Sequence, residues 1–135
     1  MNTSITDPVL TGHMKQMLDA QLAFVTTVTD ERTPHVAPKG SLNAWSETEL
    51  WFHDTQAGQT LANIRAGSLV EVAVVDREQR NGYRFLGAPV VHDDGPVFEE
   101  AARRRAERGK SAPEAVVVVR LQHIESFRPL TTPEA

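Results

Sequence analysis

Short apolar stretches separated by polar turns run along most of the chain. β-branched and aromatic residues dominate these stretches, which is typical of β-strands. The valine run at 116–119 lacks polar alternation and indicates a strand that is buried on both faces. Gly87 and Pro89 suggest a bulge or an edge position in the strand that contains them. The pattern predicts strands over six stretches: 21–29, 34–42, 49–52, 69–75, 83–92 and 115–127.

Three other stretches have the spacing of short helices. In the first, Asp7 is the expected N-cap and Pro8 the first helical residue, followed by an apolar stripe that reaches Leu18. The second helix is predicted over 59–66 and the third over 97–108, each followed by a glycine that favours a helix end. The polar stretch 43–48 predicts a turn.

The order of these elements favours one fold class. Strands follow one another as in hairpins, with short helices between some of them, which is typical of an antiparallel barrel and not of a βαβ fold. We therefore predict a mainly β fold, a six-stranded antiparallel barrel with short helices. The 135 residues suffice for a single domain over 1–135, with a helical arm over about 1–14 and a tail over 129–135.

Composition narrows the classes of partner. The net charge of −4 disfavours broad binding to nucleic acids or anionic membranes. The chain has no cysteine, which excludes disulfides, thiolate metal sites and thiol nucleophiles. It shows no basic segment followed by an apolar run at its start, and no apolar stretch long enough to span a membrane, so we expect a cytoplasmic protein.

The stretch 34–63 carries the main candidate for a ligand site. In an extended strand, Lys39 and Ser41 share one face, and Gln59, Thr60 and Asn63 follow at the start of the next helix. A cation, a hydroxyl and the free N–H groups of a helix start are suited to bind an anion. The alternatives are a solvated lysine on an edge strand and ordinary capping of the helix, and the spacing alone leaves them open.

Two other clusters favour structural roles. The arginines at 103–105, with Arg108 and Lys110, suggest nucleic-acid binding, but the i→i+4 pairs Glu99–Arg103 and Glu100–Arg104 favour a solvated helix face. The segment 92–94, His-Asp-Asp, lacks the repeated spacing of a metal site, so a helix cap is the better interpretation and we expect no metal. No residue stands out as a catalytic acid, base or nucleophile.

Four segments together resemble a known family. They are Pro-His-Val-Ala-Pro-Lys-Gly-Ser-Leu at 34–42, Gly-Gln-Thr-Leu-Ala-Asn-Ile at 58–64, Gly-Tyr-Arg-Phe-Leu-Gly-Ala at 82–88 and Asp-Gly-Pro-Val-Phe-Glu at 94–99. In this order, they resemble the pyridoxamine 5′-phosphate oxidase-like family, and most closely its small bacterial FMN-binding members. The resemblance covers about residues 15–128 and implies an FMN-binding split β-barrel.

The resemblance also implies a cofactor, partners and roles. It implies a homodimer with two FMN sites at the subunit interface. The bound flavin would exchange electrons or hydride with a small-molecule redox substrate or electron donor. Nucleic-acid and membrane partners are not expected. The cofactor-binding residues that it implies are the phosphate ligands Lys39, Ser41, Gln59 and Thr60, the supporting Asn63, and the backbone of Val36, Ala37 and Pro38 along the flavin ring.

The chain departs from the family pattern in two places. Gln59 stands where many members have a basic residue, which predicts weaker FMN binding or a different flavin-like ligand such as F420. The C-terminal segment lacks the arginine- and tryptophan-containing stretch of true pyridoxamine phosphate oxidases, so we do not expect oxidation of vitamin B6. Alternatives to a flavin-dependent oxidoreductase are a non-enzymatic flavin-binding or electron-transfer module, and a split barrel that binds F420 or haem.

Overall fold

A computed structural model describes residues 3–5, 8–54 and 58–128. Its elements, in chain order, are β1 (Thr3–Ile5), α1 (Gly12–Ala20), β2 (Ala23–Val28), β3 (Pro34–Lys39), β4 (Asn43–Ser46), β5 (Glu49–Asp54), α2 (Gln59–Arg65), β6 (Val70–Asp76), β7 (Asn81–His92), α3 (Gly95–Glu107) and β8 (Ala115–Ser126). No helix within the described ranges is long and apolar enough to cross a membrane. The predicted tail at 129–135 lies outside the described residues.

The strands form one mainly antiparallel sheet that curls into a split barrel. Its strand order is β3-β2-β6-β7-β8-β5-β4, and β1 pairs with β8 beside this path. All strand pairs in the described part of the chain are antiparallel. The predicted mainly β, antiparallel fold is confirmed. The predicted hairpin between the first two long strands is also present, as β2 and β3.

The prediction of six strands was wrong, because β1 and β4 are additional. β4 lies in the stretch 43–48 that was predicted as a turn, and it pairs with β5 from Asn43 opposite Trp51. Strand pairing depends on backbone hydrogen bonds, so a mostly polar segment joins the sheet when its neighbour offers an open edge. β1 is a short strand that pairs with the C-terminal end of β8, and Thr3 lies opposite Ser126.

The first helix begins later than predicted. Its N-cap is Thr11, whose Oγ1 accepts the N–H of Met14 at 3.2 Å, and Pro8 lies outside the helix. The predicted cap Asp7 lies outside the described residues. Leu10 instead donates its N–H to the carbonyl of Glu47 at 2.8 Å, which holds the segment before the helix against the β4–β5 turn. This long-range contact is not visible in local sequence spacing.

Strand β3 also ends earlier than predicted. It stops at Lys39, and the N–H of Leu42 donates to the Lys39 carbonyl at 3.2 Å, which closes a turn through Gly40 and Ser41. The turn carries the chain from one end of the strand order to the other, where β4 begins. The strict alternation of faces therefore holds up to Lys39 and not through Ser41.

Strand β8 separates two apolar cores. Val117 and Val119 belong to the large barrel core, whereas Val116 and Val118 pack with Trp51 and Ala101 in a smaller core under α3. The predicted burial of this strand on both faces is confirmed. The helices α1 and α2 contribute to the barrel core, so the barrel and its outer helix α3 share β8 as a common wall.

The predicted irregularity in β7 is present at Gly87. The register between β7 and β8 shifts between Leu86 and Gly87. A Cβ on Gly87 would lie 2.5 Å from the carbonyl oxygen of Arg120, so only glycine allows this close approach. Pairing of β7 with β6 ends at Gly87, and Pro89 lies beyond it, where β7 pairs with β8 alone. Its missing N–H therefore costs no ladder bond with β6.

Candidate functional site

Lys39 and Asp54 form a largely buried ion pair at one end of the barrel. Lys39 Nζ lies 3.2 Å from Asp54 Oδ1, and the two side chains are 16% and 11% exposed. The same ammonium lies 5.7 Å from the centroid of the buried Phe52 ring. The pair joins β3 to β5, which lie near opposite ends of the strand order. Lys39, the cation predicted to bind an anion, is thus neutralised by the Asp54 carboxylate.

Ser41 lies on the other side of β5. Its Oγ accepts the N–H of His53 at 3.3 Å, and it lines an outer cleft together with Trp51 and His53. Successive residues of a strand point to opposite faces, so Trp51 and His53 face this cleft while Phe52 and Asp54 face the barrel interior. The predicted common face of Lys39 and Ser41 is therefore wrong, because the turn after Lys39 sends the two side chains to opposite sides of β5.

The predicted residues of α2 form a hydrogen-bonded chain of their own. Gln59 Nε2 donates to Asn63 Oδ1 at 2.6 Å, and Asn63 Nδ2 donates to Thr27 Oγ1 at 3.0 Å. Asn63, Thr27 and Thr60 are buried, whereas Gln59 is exposed. No hydrogen bond within the described ranges joins these side chains to Lys39 or Ser41. These hydrogen bonds anchor α2 on β2. Gly58 is the N-cap of α2 and leaves the first helical turn without a side-chain cap.

The three predicted ring-facing residues lie on β3. Ala37 is half-buried, whereas Val36 and Pro38 point outward and Val36 is 60% exposed. In the β2–β3 register Val36 lies opposite Thr26, and Pro38 lies opposite Phe24. Together these side chains make an exposed, mostly apolar face on the outside of the sheet.

Three buried polar atoms lack partners within the described part of the protein. They are His35 Nδ1, His53 Nδ1 and Asp54 Oδ2. A buried polar atom without a partner costs about 1–3 kcal/mol, so such atoms are rare and call for an explanation. All three belong to β3 and the end of β5, inside the stretch 34–63. The sequence interpretation missed His53 and Asp54, although two ionisable residues that directly follow the apolar run 50–52 were a usable signal.

Burial and Arg105 keep His53 neutral, and the contact with Arg105 fixes its tautomer. The Arg105 Nη1 contacts His53 Nε2, and its Nε donates to the Ser111 carbonyl at 2.7 Å. A guanidinium only donates, so Nε2 accepts and the proton of the neutral ring resides on Nδ1. Burial, followed by the charge of Arg105, lowers the pKa of His53 from 6.5 to about 4. His53 is therefore neutral at physiological pH.

The comparisons with known proteins place the chain in a family. Residues 10–127 match the family described as pyridoxamine 5′-phosphate oxidase. The chain belongs to this family. HupZ from Group A Streptococcus is 31% identical and superimposes with a TM-score of 0.80 over 93% of this chain and 98% of HupZ. No curated protein matches the chain.

Two more distant members of this structural group share the fold. An F420 reductase is 20% identical, with a TM-score of 0.65 over 85% of this chain and 98% of that protein. An FMN-binding protein from Syntrophomonas wolfei is 15% identical, with a TM-score of 0.67 over 87% of this chain and 85% of that protein. At these identities the likeness concerns the split-barrel fold.

The residues of this pyridoxamine 5′-phosphate oxidase family member fit a flavin in part of the region. His35 Nδ1 on β3 and Asp54 Oδ2 on β5 offer polar contacts that a bound molecule with both donors and acceptors would satisfy, whereas His53 Nδ1 lies on the other face of β5. Among the described residues no side chain caps the start of α2, so its first-turn N–H groups can donate to a ligand, and the buried Thr60 lies in that turn. The neutral Lys39–Asp54 pair is the exception, because it weakens the attraction for a phosphate.

Proposed function

We propose that the protein binds FMN and serves flavin-mediated electron or hydride transfer with a small-molecule partner. Family membership supports a flavin, and the FMN-binding protein with the same fold supports FMN among the flavins. The observation that carries the proposal is the presence of two unpartnered buried atoms on the strands that the Lys39–Asp54 pair joins, His35 Nδ1 on β3 and Asp54 Oδ2 on β5, since a bound polar molecule would remove their cost.

The chain's contribution is binding and orientation. When bound, FMN supplies the redox chemistry, and the protein supplies the environment. In this proposal the backbone of Val36, Ala37 and Pro38 lies along the ring. Lys39, Gln59 and Thr60 serve the phosphate end, and Asn63 fixes the start of α2 through Thr27. Ser41, to which the resemblance also gave a phosphate role, lies in the outer cleft and is left out of this proposal. The phosphate donors in this proposal are the Lys39 ammonium and the first-turn N–H groups of α2.

Asp54 predicts that the affinity for FMN is modest. A carboxylate 3.2 Å from the Lys39 ammonium repels a dianionic phosphate and competes for the same cation. Gln59 adds no positive charge, and its amide is engaged with Asn63. The second candidate is a split barrel that takes F420 or haem in place of FMN, and the F420 reductase with the same fold supports F420.

A homodimer is part of the proposal. Phe24, Val28 and Val36 are large apolar side chains that are exposed on neighbouring strands β2 and β3. Contiguous apolar surface of this kind is typical of a protein interface. Light scattering at micromolar concentration is expected to give twice the chain mass of 14.9 kDa. A monomeric mass would contradict the dimer without touching the flavin.

The absorbance spectrum of the purified protein is the direct test of the cofactor. Flavin bands, or their appearance on adding FMN, are expected. Bleaching of those bands by NAD(P)H would distinguish a reductase from a passive flavin carrier. A colourless protein that ignores FMN would overturn the flavin proposal, and titrations with F420 and haemin would then decide between the remaining ligands.

A further inference from the structure

The outer cleft lies on the side of β5 opposite the Lys39–Asp54 pair. It has a volume of about 630 Å³ and is bounded by α1, the turn after β3, β4, β5 and the end of α3. Its base includes Ser41, Asn43, Trp51 and His53. Pockets of about 300–1,000 Å³ are typical of sites for small organic ligands. The cleft is therefore large enough for a molecule of that size, and not only for a simple ion.

The walls of this outer cleft carry more positive than negative charge. Its lining contains five cationic side chains and two carboxylates: Lys15, Arg104, Arg105, Arg108, Lys110, Asp19 and Glu107. Glu107 is 2.6 Å from Arg103, which offsets its charge. Lys15 and Arg104 are paired with Glu47 and Glu100.

Two cations of the cleft are free to meet a ligand. Across the described ranges, no ion pair or side-chain hydrogen bond involves Arg108 or Lys110. The Ser41 hydroxyl oxygen accepts from the His53 N–H, so its own proton is available to a further acceptor. These three groups are donors without an acceptor, which is what an anionic group requires.

The base of the cleft is held in place by hydrogen bonds and contains a buried cation. Trp51 is 5% exposed, and its Nε1 donates to Asn43 Oδ1 at 2.6 Å, which fixes the indole. Arg105 is also buried and is held by the Ser111 carbonyl. Burial and then the charge of Arg105 lower the pKa of His53, Asp54 acts in the opposite direction, and Lys39 and Lys110 lower it further, so this base disfavours an added cation. The same charges favour a bound anion.

We propose that the outer cleft binds a small organic anion, whose phosphate or carboxylate group is held by Arg108, Lys110 and the Ser41 hydroxyl. The organic part of the ligand occupies the remaining volume over Trp51 and Asn43. The site lies on the opposite face of β5 from Asp54, and it does not depend on the flavin proposal.

Nuclear magnetic resonance titration of the wild-type protein tests this site. Inorganic phosphate and citrate, each compared with sodium chloride at equal ionic strength, are the probes. Saturable shifts are expected for the backbone amides of Ser41 and His53 and for the Trp51 indole N–H. A preference for phosphate over citrate, or the reverse, identifies which oxyanion the cleft favours. Absence of saturable shifts with both probes would overturn the proposal.

A variant pair separates specific binding from general charge attraction. The double variant Arg108→Gln/Lys110→Gln removes both free cations and is expected to weaken binding about tenfold or more. Arg32→Gln removes an exposed cation in the β2–β3 turn that does not line the cleft and takes part in no ion pair among the described residues, and it is expected to leave binding unchanged. Equal weakening in both variants would contradict a built site.

A competition experiment keeps this site distinct from the flavin site. FMN is added to wild-type protein saturated with phosphate, and the Trp51 indole signal is followed. The phosphate-induced shift is expected to persist. If FMN displaced phosphate and bound tenfold more weakly to the double variant, the cleft would be the flavin phosphate site, and a second site would be ruled out. If FMN failed to bind at all while the phosphate shifts remained, the flavin proposal alone would fall.

Discussion

Lys39 on β3 and Asp54 on β5 lie 3.2 Å apart across the closure of the barrel, with both side chains largely buried. The contact has two opposing effects. It joins strands that are not hydrogen-bonded neighbours in the sheet, which stabilises the barrel end. It also neutralises the cation that would best attract the phosphate of a flavin. Removing the Asp54 carboxylate is thus expected to lower the stability of the barrel end and to raise the affinity of Lys39 for a phosphate.

Substitution of Lys39 and substitution of Asp54 are expected to change the affinity for FMN in opposite directions. Lys39→Ala should weaken FMN binding by about 1–3 kcal/mol, because it removes a charge-assisted bond to the phosphate. Asp54→Asn should strengthen binding, because it removes the competing carboxylate but keeps a polar side chain of similar size. Fluorescence titration with FMN measures both. Unchanged affinity in both variants would remove Lys39 from the binding site.

The stability of the same variants serves as the control. Lys39→Ala leaves a largely buried carboxylate without its cation, and the free energy of unfolding is expected to fall by about 3 kcal/mol. The double variant Lys39→Ala/Asp54→Asn should recover much of this loss, since no uncompensated charge remains. Urea unfolding of the four proteins in this cycle separates the pair's coupling from the single effects.

His53 is expected to make the protein less stable as the pH is lowered. Above pH 6.5 the imidazole is neutral in both the folded and the unfolded chain, so it adds no pH dependence. Between 6.5 and about 4, the unfolded chain binds a proton that the folded protein excludes, and the free energy of unfolding therefore falls with falling pH. His53→Gln keeps an acceptor for Arg105 but cannot titrate.

The measurement is urea unfolding at pH 7 and pH 5 for both proteins. The wild type is expected to lose more stability between these two values than His53→Gln does. An equal loss in the two proteins would contradict the lowered pKa. The pKa of the folded protein can also be read from the His53 ring resonances, which should stay constant around pH 6.5.

Asn63 is expected to matter for the folding of α2 more than its neighbour Gln59. Asn63→Ala removes the donor to the buried Thr27 hydroxyl, at an expected cost of about 1–3 kcal/mol in the free energy of unfolding. Gln59→Ala changes an exposed residue of the same chain of bonds and should stay within about 0.5 kcal/mol. Thermal and urea unfolding compare the two. A larger effect from Gln59 would show that Asn63 does not anchor the helix.

Gly87 is expected to tolerate no side chain. In Gly87→Ala the new Cβ would meet the Arg120 carbonyl oxygen and a Val119 methyl group, each at 2.5 Å, so β8 must shift, at an expected cost of about 1–3 kcal/mol. Gly40→Ala is the matched control, because nothing lies within 4 Å of its added Cβ. Its unfolding free energy should change by no more than about 0.5 kcal/mol. Equal stability of the two variants would be inconsistent with the tight β7–β8 crossing.

The sequence was sufficient for most of the fold because the core is periodic. The valines of β8 and the apolar runs of β2 and β6 bury the residues that their pattern predicts. β1 and β4 were not predicted, because they pair with β8 and β5 through backbone hydrogen bonds and their sequences contain few apolar residues. The start of α1 at Thr11 likewise depends on Leu10 reaching the carbonyl of Glu47, a contact set by the tertiary fold.

The candidate site was predictable only within single elements. The pairing of Gln59 with Asn63 follows from helix spacing, and the structure contains it. The partnership of Lys39 with Asp54 required knowing that β3 and β5 meet, which local spacing does not tell. The split of Lys39 and Ser41 required knowing where β3 ends. The roles of these residues toward a flavin stay predictions.

The central place of β8 has a consequence for how the protein is made on the ribosome. β5 pairs with β8 from Asp54 opposite Ala115, and β1 pairs with β8 from Thr3 opposite Ser126. At a synthesis rate of about 5–20 residues per second, β5 waits roughly 3–12 seconds for a partner made about 60 residues later. Until then one edge of β5 and one edge of β7 stay open to other chains. The nascent protein is thus most prone to aggregate just before its last strand emerges, and chaperones that cover strand edges would act in that interval.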